Sequence, residues 1–222
     1  MKEKIRKHLL KLKLDKVQAT IILCGLYLFF SFAGNIAATK VTYFWKFVMD
    51  GGFIYSLTFT WRDLIHKQFG RKAAITTIYL SGIINLLAAL YFQWVVILPA
   101  EPSWAAAGGQ KAWEFLFGLQ FRIVIASIIA QIVAELIDTG VYHFWVTGIG
   151  KNKPQWTRVF ISNGISVPVD SIIFPIIAFA GIISMTAMWQ MFLTNIAMKF
   201  IITLLVFWTI YLVPEKPIYT KG

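Results

Sequence analysis

The sequence is poor in charged residues and has almost no cysteine. Only 14% of its residues are charged and 58% are hydrophobic, whereas soluble domains average about 25% charged and about 45–50% apolar. The single cysteine, Cys24, can form no internal disulfide. There is no Walker A loop or dinucleotide fingerprint, and the three histidines lack metal-ligand spacing. These absences argue against a soluble nucleotide-binding or metal enzyme, and the composition indicates an integral membrane protein.

Long apolar stretches set the predicted architecture, because a membrane-spanning helix needs about 20 mostly apolar residues. Six stretches qualify, at 17–39, 52–69, 73–98, 119–147, 157–184 and 190–213. The prediction is an all-α integral membrane protein, a bundle of six transmembrane helices over residues 17–213. A basic tail at 1–16 and a short tail at 214–222 flank it. The 99–118 connection is expected on the external surface, as an interfacial loop or a short helix over a cavity mouth.

The placement of basic residues predicts the orientation. Fifteen lysines and arginines fall on the side that holds both termini, and only Lys40, Lys46 and Lys111 fall on the opposite side. Cytoplasmic loops carry an excess of Lys and Arg, so both termini are predicted to be cytoplasmic. The net charge of +11 is thus explained by basic loops beside a lipid bilayer, and no nucleic-acid partner is predicted. The predicted location is the cell membrane, as a multi-pass protein.

Polar residues inside the predicted spans are the candidates for function, because a charge in the bilayer core costs at least about 2.5–3.5 kcal/mol. In the fourth predicted helix, Gln131, Glu135, Asp138 and Tyr142 follow the i, i+4, i+7, i+11 spacing of one helix face. Arg122 lies on the same helix but points elsewhere, nearer the external surface. The spacing therefore predicts one polar stripe on this helix.

Other predicted helices bring polar groups to a similar depth. Adjacent residues on a helix diverge by about 100°, so Arg62 and Asp63 need not pair with each other. The fifth helix presents Asn163 and Asp170, and the sixth adds Asn195 and Lys199. The predicted substrate-binding set is Asn35, Arg62, Asp63, Arg122, Gln131, Glu135, Asp138, Asn163 and Asp170. No catalytic residue, metal ligand or cofactor is predicted.

A structural alternative is a buried ion-pair network that only holds helices together, with Arg62 paired to Asp138 or Asp170. Against it, four carboxylates at this depth meet one arginine. Like charges held close together disfavour full ionisation, so one carboxyl either binds a proton or awaits a cationic ligand.

Three blocks of sequence resemble the queuosine precursor transporters, also called the vitamin uptake transporter family. They are FTWRDLIHKQFGRKAA (59–74), FRIVIASIIAQIVAELIDTGVYHF (121–144) and RVFISNGISVPVDSIIFPIIAFAG (158–181). The residues that match the family pattern are Asp63, Gly70, Arg122, Ser127, Asp138, Asn163, Asp170 and Ser171. The chain departs from that pattern at Glu135, where many relatives have Gln.

The resemblance implies import of 7-deazaguanines for queuosine modification of tRNA, namely the 7-cyano form, the 7-aminomethyl form or queuine. A guanine-like edge presents two donors that one carboxylate accepts together, so Glu135, Asp138 or both would read that edge. The mechanism implied is alternating access around a midplane site, or facilitated uptake followed by metabolic trapping. Proton coupling through Glu135, Asp138 or Asp170 is a hypothesis that predicts collapse of uptake with a protonophore.

Three other functions stay open on the sequence. One is a vitamin-binding membrane subunit that needs an ATP-driven partner, and one is an intramembrane enzyme. The third is a structural membrane protein with a buried charge network. The exact substrate, the coupling ion and the oligomeric state also stay open, with a homodimer among the alternatives.

Overall fold

A computed structural model gives the fold and describes residues 16–150 and 153–212. In chain order the elements are α1 (Lys16–Ala37), β1 (Val41–Phe44), β2 (Phe47–Asp50), a 3-10 turn (Phe53–Ser56), α2 (Leu57–Phe69), α3 (Arg71–Ile97), α4 (Pro102–Ala106), α5 (Gly109–Thr147), α6 (Gln155–Phe179), α7 (Met185–Val206) and a second 3-10 turn (Phe207–Leu212). Apart from Lys16, the predicted amino-terminal tail lies outside the described residues, as does the predicted tail at 214–222.

Five helices are long and apolar enough to cross a bilayer, namely α1, α3, α5, α6 and α7. They confirm an all-α membrane architecture, to which the β1–β2 hairpin is a small addition. The remaining predicted span, 52–69, is the second in chain order and takes a different form, because it consists of the 3-10 turn followed by α2. Helix α2 has 13 residues, about 20 Å at a rise of 1.5 Å per residue, whereas the hydrocarbon core is about 30 Å thick.

Helix α2 lies at the centre of the bundle. It packs against α1, α3, α5, α6 and α7, and nine of its 13 residues are buried. Because the five longer helices surround it, its charged groups meet protein and not lipid. This position explains why the least hydrophobic of the predicted spans is accommodated inside a membrane protein.

The β1–β2 hairpin was not predicted from the sequence. Its strands pair antiparallel, with Val41 opposite Asp50, and Trp45 at the turn has a left-handed φ of 59°. Strand β2 packs against α7, which buries Val48 and Met49. The β-branched and aromatic residues of 41–50 are a strand signal, but the turn lacks the Asn-Gly or Asp-Gly pair that marks most short hairpins.

Helix α5 begins at Gly109, ten residues before the predicted start at 119, and is 39 residues long. It therefore takes up about half of the predicted 99–118 connection. The rest contains the short helix α4, capped by Glu101, whose carboxylate accepts from the backbone N–H of Trp104 at 2.8 Å. Hydrogen bonds from Ser103 and from the Trp104 N–H lower the pKa of this exposed carboxyl below its ordinary value.

Small residues bring the helices that carry polar groups close together. Ala126, Ala130 and Ala134 recur every fourth residue on α5 and are fully buried, and α5 packs along α6. Small side chains at a helix interface let the two backbones approach closely. The polar residues of α5 and α6 are thereby held face to face.

A second close approach joins α1 to the 3-10 turn. A Cβ atom added at Gly34 would lie 2.9 Å from the Cβ atom of Tyr55, and one added at Gly52 would lie 2.8 Å from the Gly34 carbonyl oxygen. The backbone in this region can pack so tightly only because both positions lack a side chain.

We expect Gly34→Ala to lower the melting temperature of the purified protein, because overpacking a well-packed site costs about 1–3 kcal/mol. Gly25→Ala is the matched control on the same helix, since a Cβ atom there meets nothing within 4 Å. The control should leave the melting temperature unchanged or raise it. Equal melting temperatures for the two variants would contradict the close packing of α1 on Tyr55.

Candidate functional site

A small cavity lies where the hairpin meets the helices, and we call it the hairpin cavity. Its volume is about 40 Å³, which is room for water and not for a bicyclic base. It is lined by Gly34, Asn35, Ala38, Asp50, Gly52, Phe53, Tyr55, Ser56, Ser127, Asp170, Phe174, Asn195, Met198 and Lys199. This lining includes two carboxylates, two amides and one ammonium.

Two carboxylates face the hairpin cavity, and their partners differ. Asp170 forms an ion pair with Lys199, and the Lys199 ammonium also donates to Ser171 Oγ at 3.2 Å. Asp50 instead accepts from neutral donors, from the Gly52 backbone N–H at 2.8 Å and from Asn195 Nδ2 at 2.7 Å. The cavity therefore holds one compensated and one uncompensated carboxylate.

A second polar group, which we call the arginine cluster, consists of Arg62, Asp63 and Asp138. Arg62 forms ion pairs with both carboxylates, and all three side chains are fully buried. Ser166 Oγ donates to Asp138 Oδ1 at 2.8 Å. On α5, Ser127 of the cavity and Asp138 are 11 residues apart, about 16 Å along the helix axis, whereas on α6 Ser166 is one turn from Asp170 of the cavity. The cluster and the cavity are therefore neighbouring polar groups that extend to different depths.

A chain of hydrogen bonds, the Gln131 network, links these two depths. Asn35 of the cavity wall donates to Asn85 Oδ1 at 2.8 Å, and Asn85 donates to Ser31 Oγ at 3.1 Å. Gln131 Nε2 donates to the Tyr27 hydroxyl at 3.1 Å and also reaches Ser31 Oγ at 3.5 Å. The network therefore runs from the cavity to the polar stripe of α5.

Glu135 lies beyond the end of this network and is fully buried. Its carboxylate lies near Arg62 and near the hydroxyls of Tyr27 and Thr58. Neither carboxylate oxygen has a hydrogen-bond partner among the residues that the structure describes. Of the buried carboxylates in that part of the chain, Glu135 is the one with neither oxygen in a hydrogen bond.

The structure separates the nine predicted site residues into four places. Asn35 and Asp170 line the hairpin cavity, Arg62, Asp63 and Asp138 form the arginine cluster, and Gln131 and Glu135 lie between them. Arg122 and Asn163 do not line the cavity. Arg122 donates to the Ile177 and Ala180 carbonyls at 2.8 and 2.6 Å, and Asn163 donates to Thr203 Oγ1 at 3.1 Å, so both join helices.

Three charged or amide side chains of the cavity, Asp50, Asn195 and Lys199, were outside the predicted set. Asp50 lay in a segment expected to be an external connection, and its contact with Asn195 joins residues 145 positions apart. Asn195 and Lys199 were noted on the last helix but not grouped with Asp170. The sequence did contain a signal for them. Four carboxylates were predicted at this depth with one arginine, so further cations or hydrogen-bond donors were needed there.

The side chains of the cavity, the arginine cluster and the Gln131 network can bind a polar ligand and balance its charge. No cluster of three or more His, Cys, Asp or Glu side chains that could hold a metal is present in residues 16–150 and 153–212. Carboxylates, amides and one ammonium line the cavity, and such groups accept and donate hydrogen bonds to a polar ligand. The arrangement therefore fits a binding site inside a membrane protein.

Comparison with known proteins agrees with a membrane transport role. Residues 49–213 match the model of the family described as "Putative vitamin uptake transporter". Over 185 residues the chain is 26% identical to a protein of Bacillus subtilis (strain 168) named "Probable queuosine precursor transporter", covering 82% of this chain and 80% of that protein. No solved structure matches the chain at a significant level.

Proposed function

Because the chain belongs to the vitamin uptake transporter family and is a multi-pass transporter of the cell membrane and not an enzyme, we propose that it imports queuosine precursors. The substrates would be 7-deazaguanines, namely the 7-cyano form, the 7-aminomethyl form or queuine. The name of the similar Bacillus subtilis protein, a queuosine precursor transporter, supports this substrate class. Imported bases would serve queuosine modification of tRNA.

The observation that carries the proposal is the burial of carboxylates in a membrane protein. Five of the ten acidic residues in the sequence, Asp50, Asp63, Glu135, Asp138 and Asp170, are at most 7% exposed. Buried charges in membrane helices are expensive and mark substrate or ion pathways. A guanine-like base offers an N1–H and an exocyclic amine, which one carboxylate can accept together, and the aromatic lining of Phe53 and Phe174 suits its flat face.

The proposed topology keeps six passes and two cytoplasmic termini. Five passes are the long helices, and the sixth is the composite of the 3-10 turn and α2 at residues 53–69. At about 2.0 Å per residue for the turn and 1.5 Å for the helix, the composite is about 28 Å long. This approaches the bilayer core thickness of about 30 Å, and the excess of basic residues on the side of both termini gives the direction.

The proposed transport path runs between the two polar sites. Substrate would bind first among Asn35, Asp170 and their neighbours in the hairpin cavity and then pass towards Gln131, Glu135 and the arginine cluster. Because the cavity has room for water and not for a bicyclic base, binding requires an element to move, and this holds for alternating access and for facilitated uptake alike. Arg122 and Asn163 would act as helix-joining residues and not as ligand contacts.

A vitamin-binding subunit of an ATP-driven uptake system is the second candidate, favoured by the description of the matched family. Both candidates use a buried ligand site in a small helical membrane protein. They differ in whether the protein transports alone, so uptake into liposomes that contain only this protein separates them.

The first experiment is ligand-induced thermal stabilisation of the detergent-purified protein. The panel is 7-cyano-7-deazaguanine, 7-aminomethyl-7-deazaguanine, queuine, guanine, biotin and riboflavin. A ligand at 100 times its dissociation constant should add about 2.7 kcal/mol to the folded state, and we expect this from at least one 7-deazaguanine. Guanine is the control for the 7-substituent. Stabilisation by biotin or riboflavin alone would overturn the proposal in favour of the vitamin-binding subunit.

A further inference from the structure

The hairpin cavity has an imbalance of charge on its walls. Asp50 and Asp170 face it with one cation, Lys199, and Lys199 is engaged by Asp170 and by Ser171 Oγ at 3.2 Å. The partners of Asp50 in the described part of the chain are an amide and a backbone N–H. An ionised Asp50 therefore leaves the cavity with an excess of one negative charge.

Asp50 is 7% exposed, so bulk water does little to compensate it. A buried charge without an opposite charge costs several kcal/mol unless a partner is supplied. The guanidinium of Arg62 is not available, because it forms ion pairs with Asp63 and Asp138. Lys199 acts on Asp50 electrostatically but is ion-paired with Asp170, so the two carboxylates share one cation and Asp50 has no ion pair of its own in residues 16–150 and 153–212.

Tyr55 is an independent sign that the cavity awaits a ligand. Its side chain lines the cavity and is 9% exposed, yet its hydroxyl has no hydrogen-bond partner in residues 16–150 and 153–212. Buried hydroxyls are normally satisfied, and this one lies near the Asp170 carboxylate and the Thr58 side chain, so it is placed to bond a polar group beside Asp170. Phe53, Phe174 and Met198 supply the apolar remainder of the lining, which favours a flat ring.

We propose that Asp50 is the counter-ion for a protonated amine of the ligand, so that the hairpin cavity selects a cationic 7-deazaguanine over neutral ones. This inference rests on the proposed function and narrows it. The 7-aminomethyl group is protonated at neutral pH and the 7-cyano group carries no charge. The 7-deazaguanine ring would bind Asp170, Asn35 and Asn195, whereas Asp50 would pair with the charged 7-aminomethyl group.

The test compares dissociation constants of the full-length protein for two ligands of nearly equal size, 7-aminomethyl-7-deazaguanine and 7-hydroxymethyl-7-deazaguanine. The hydroxymethyl compound keeps the ring and a donor but has no charge. The unmodified protein should bind the amine at least about 30-fold more tightly, which corresponds to the lower end of the range for removing one partner of a buried charge pair. This comparison needs no variant and does not depend on the folding of a mutant.

Asp50→Asn then assigns the preference to its residue. In this variant the preference should fall below about threefold, while affinity for the hydroxymethyl compound stays the same. Glu114→Gln, which removes an exposed carboxylate on α5 that is bonded to Gln110, is the charge control and should keep the full preference. Binding of the hydroxymethyl compound to Asp50→Asn reports that the variant is folded.

The outcomes separate this inference from the proposed function. Failure of both compounds to bind would overturn the proposed function and, with it, the inference. Equal binding of the two compounds to the unmodified protein would leave the function standing and overturn the charge selection. A preference that persists in Asp50→Asn would overturn the assignment to Asp50.

Discussion

Arg62→Ala is expected to lower the melting temperature and the yield of the protein more than any of the other single substitutions proposed as tests. The change leaves Asp63 and Asp138 buried without their ion-pair partner, and it removes hydrogen bonds to the Phe59 and Glu135 carbonyls. Removing one partner of a buried charge pair costs about 3–5 kcal/mol, against a total stability of about 5–15 kcal/mol for a typical protein. The measurement is the yield and melting temperature of monodisperse protein in detergent.

Two variants show whether the loss arises from the charges. Arg122→Ala removes a half-buried guanidinium that bonds only to carbonyl groups, so its loss of melting temperature should be clearly smaller. Arg62→Met combined with Asp63→Asn and Asp138→Asn removes all three charges and should recover folded protein relative to Arg62→Ala, since neutral replacement of a buried network is often tolerated. Normal folding of Arg62→Ala would mean that the arginine cluster does not hold α2 in the bundle.

Glu135→Gln is expected to abolish accumulation of substrate against its gradient while leaving the fold intact. Asp138 and Asp170 are engaged by Arg62 and Lys199, so Glu135 is the remaining candidate among the three to carry a proton. With one proton per substrate, a gradient of one pH unit supports about a tenfold concentration ratio. Proteoliposomes with an imposed pH gradient should reach about this ratio with the unmodified protein and a ratio of about one with Glu135→Gln.

The structure also explains why the fold should tolerate this change. Neither oxygen of the Glu135 carboxylate accepts a hydrogen bond in the part of the chain that the structure describes, and the nearly isosteric glutamine can still face the Tyr27 and Thr58 hydroxyls, so the change removes only the attraction to Arg62. Glu114→Gln on the same helix serves as control and should accumulate normally. Uptake by the unmodified protein that ignores both the pH gradient and a protonophore would exclude proton coupling, and accumulation by Glu135→Gln would exclude this residue as the carrier.

Helical periodicity predicted local relations well, because side chains on one helix have a fixed angular order. The predicted stripe of Gln131, Glu135, Asp138 and Tyr142 is buried in full, and Arg122 points away from it, to carbonyls of α6 and the residue after it. Helix geometry does not require Arg62 and Asp63 to pair, yet they form an ion pair. The long arginine side chain bends back to its neighbour and reaches Asp138 at the same time.

Relations between distant segments could not be read from the sequence. The count of one arginine against four carboxylates left out Lys199, which pairs with Asp170. Hydropathy alone did not show how deep Lys199 lies in the membrane. Asp50 was missed for the same reason, since its place in the site depends on a hairpin that packs on α7. The start of α5 was misplaced because Gly109 and Gly118 read as loop residues, although a long helix runs through both.

The length of α5 and its lack of proline have a mechanical consequence. The helix contains no proline, whereas α6 contains Pro168 and Pro175, and near its middle Gln131 is tied to α1 and α3 through Tyr27 and Ser81. Ser127 and Asp138 lie on opposite sides of Gln131 along the helix. When α5 tilts about Gln131, its two ends move in opposite directions. Widening the hairpin cavity would then narrow the space at the arginine cluster. Movement of this single helix would thus couple the two ends of the path, so that they are not open at the same time.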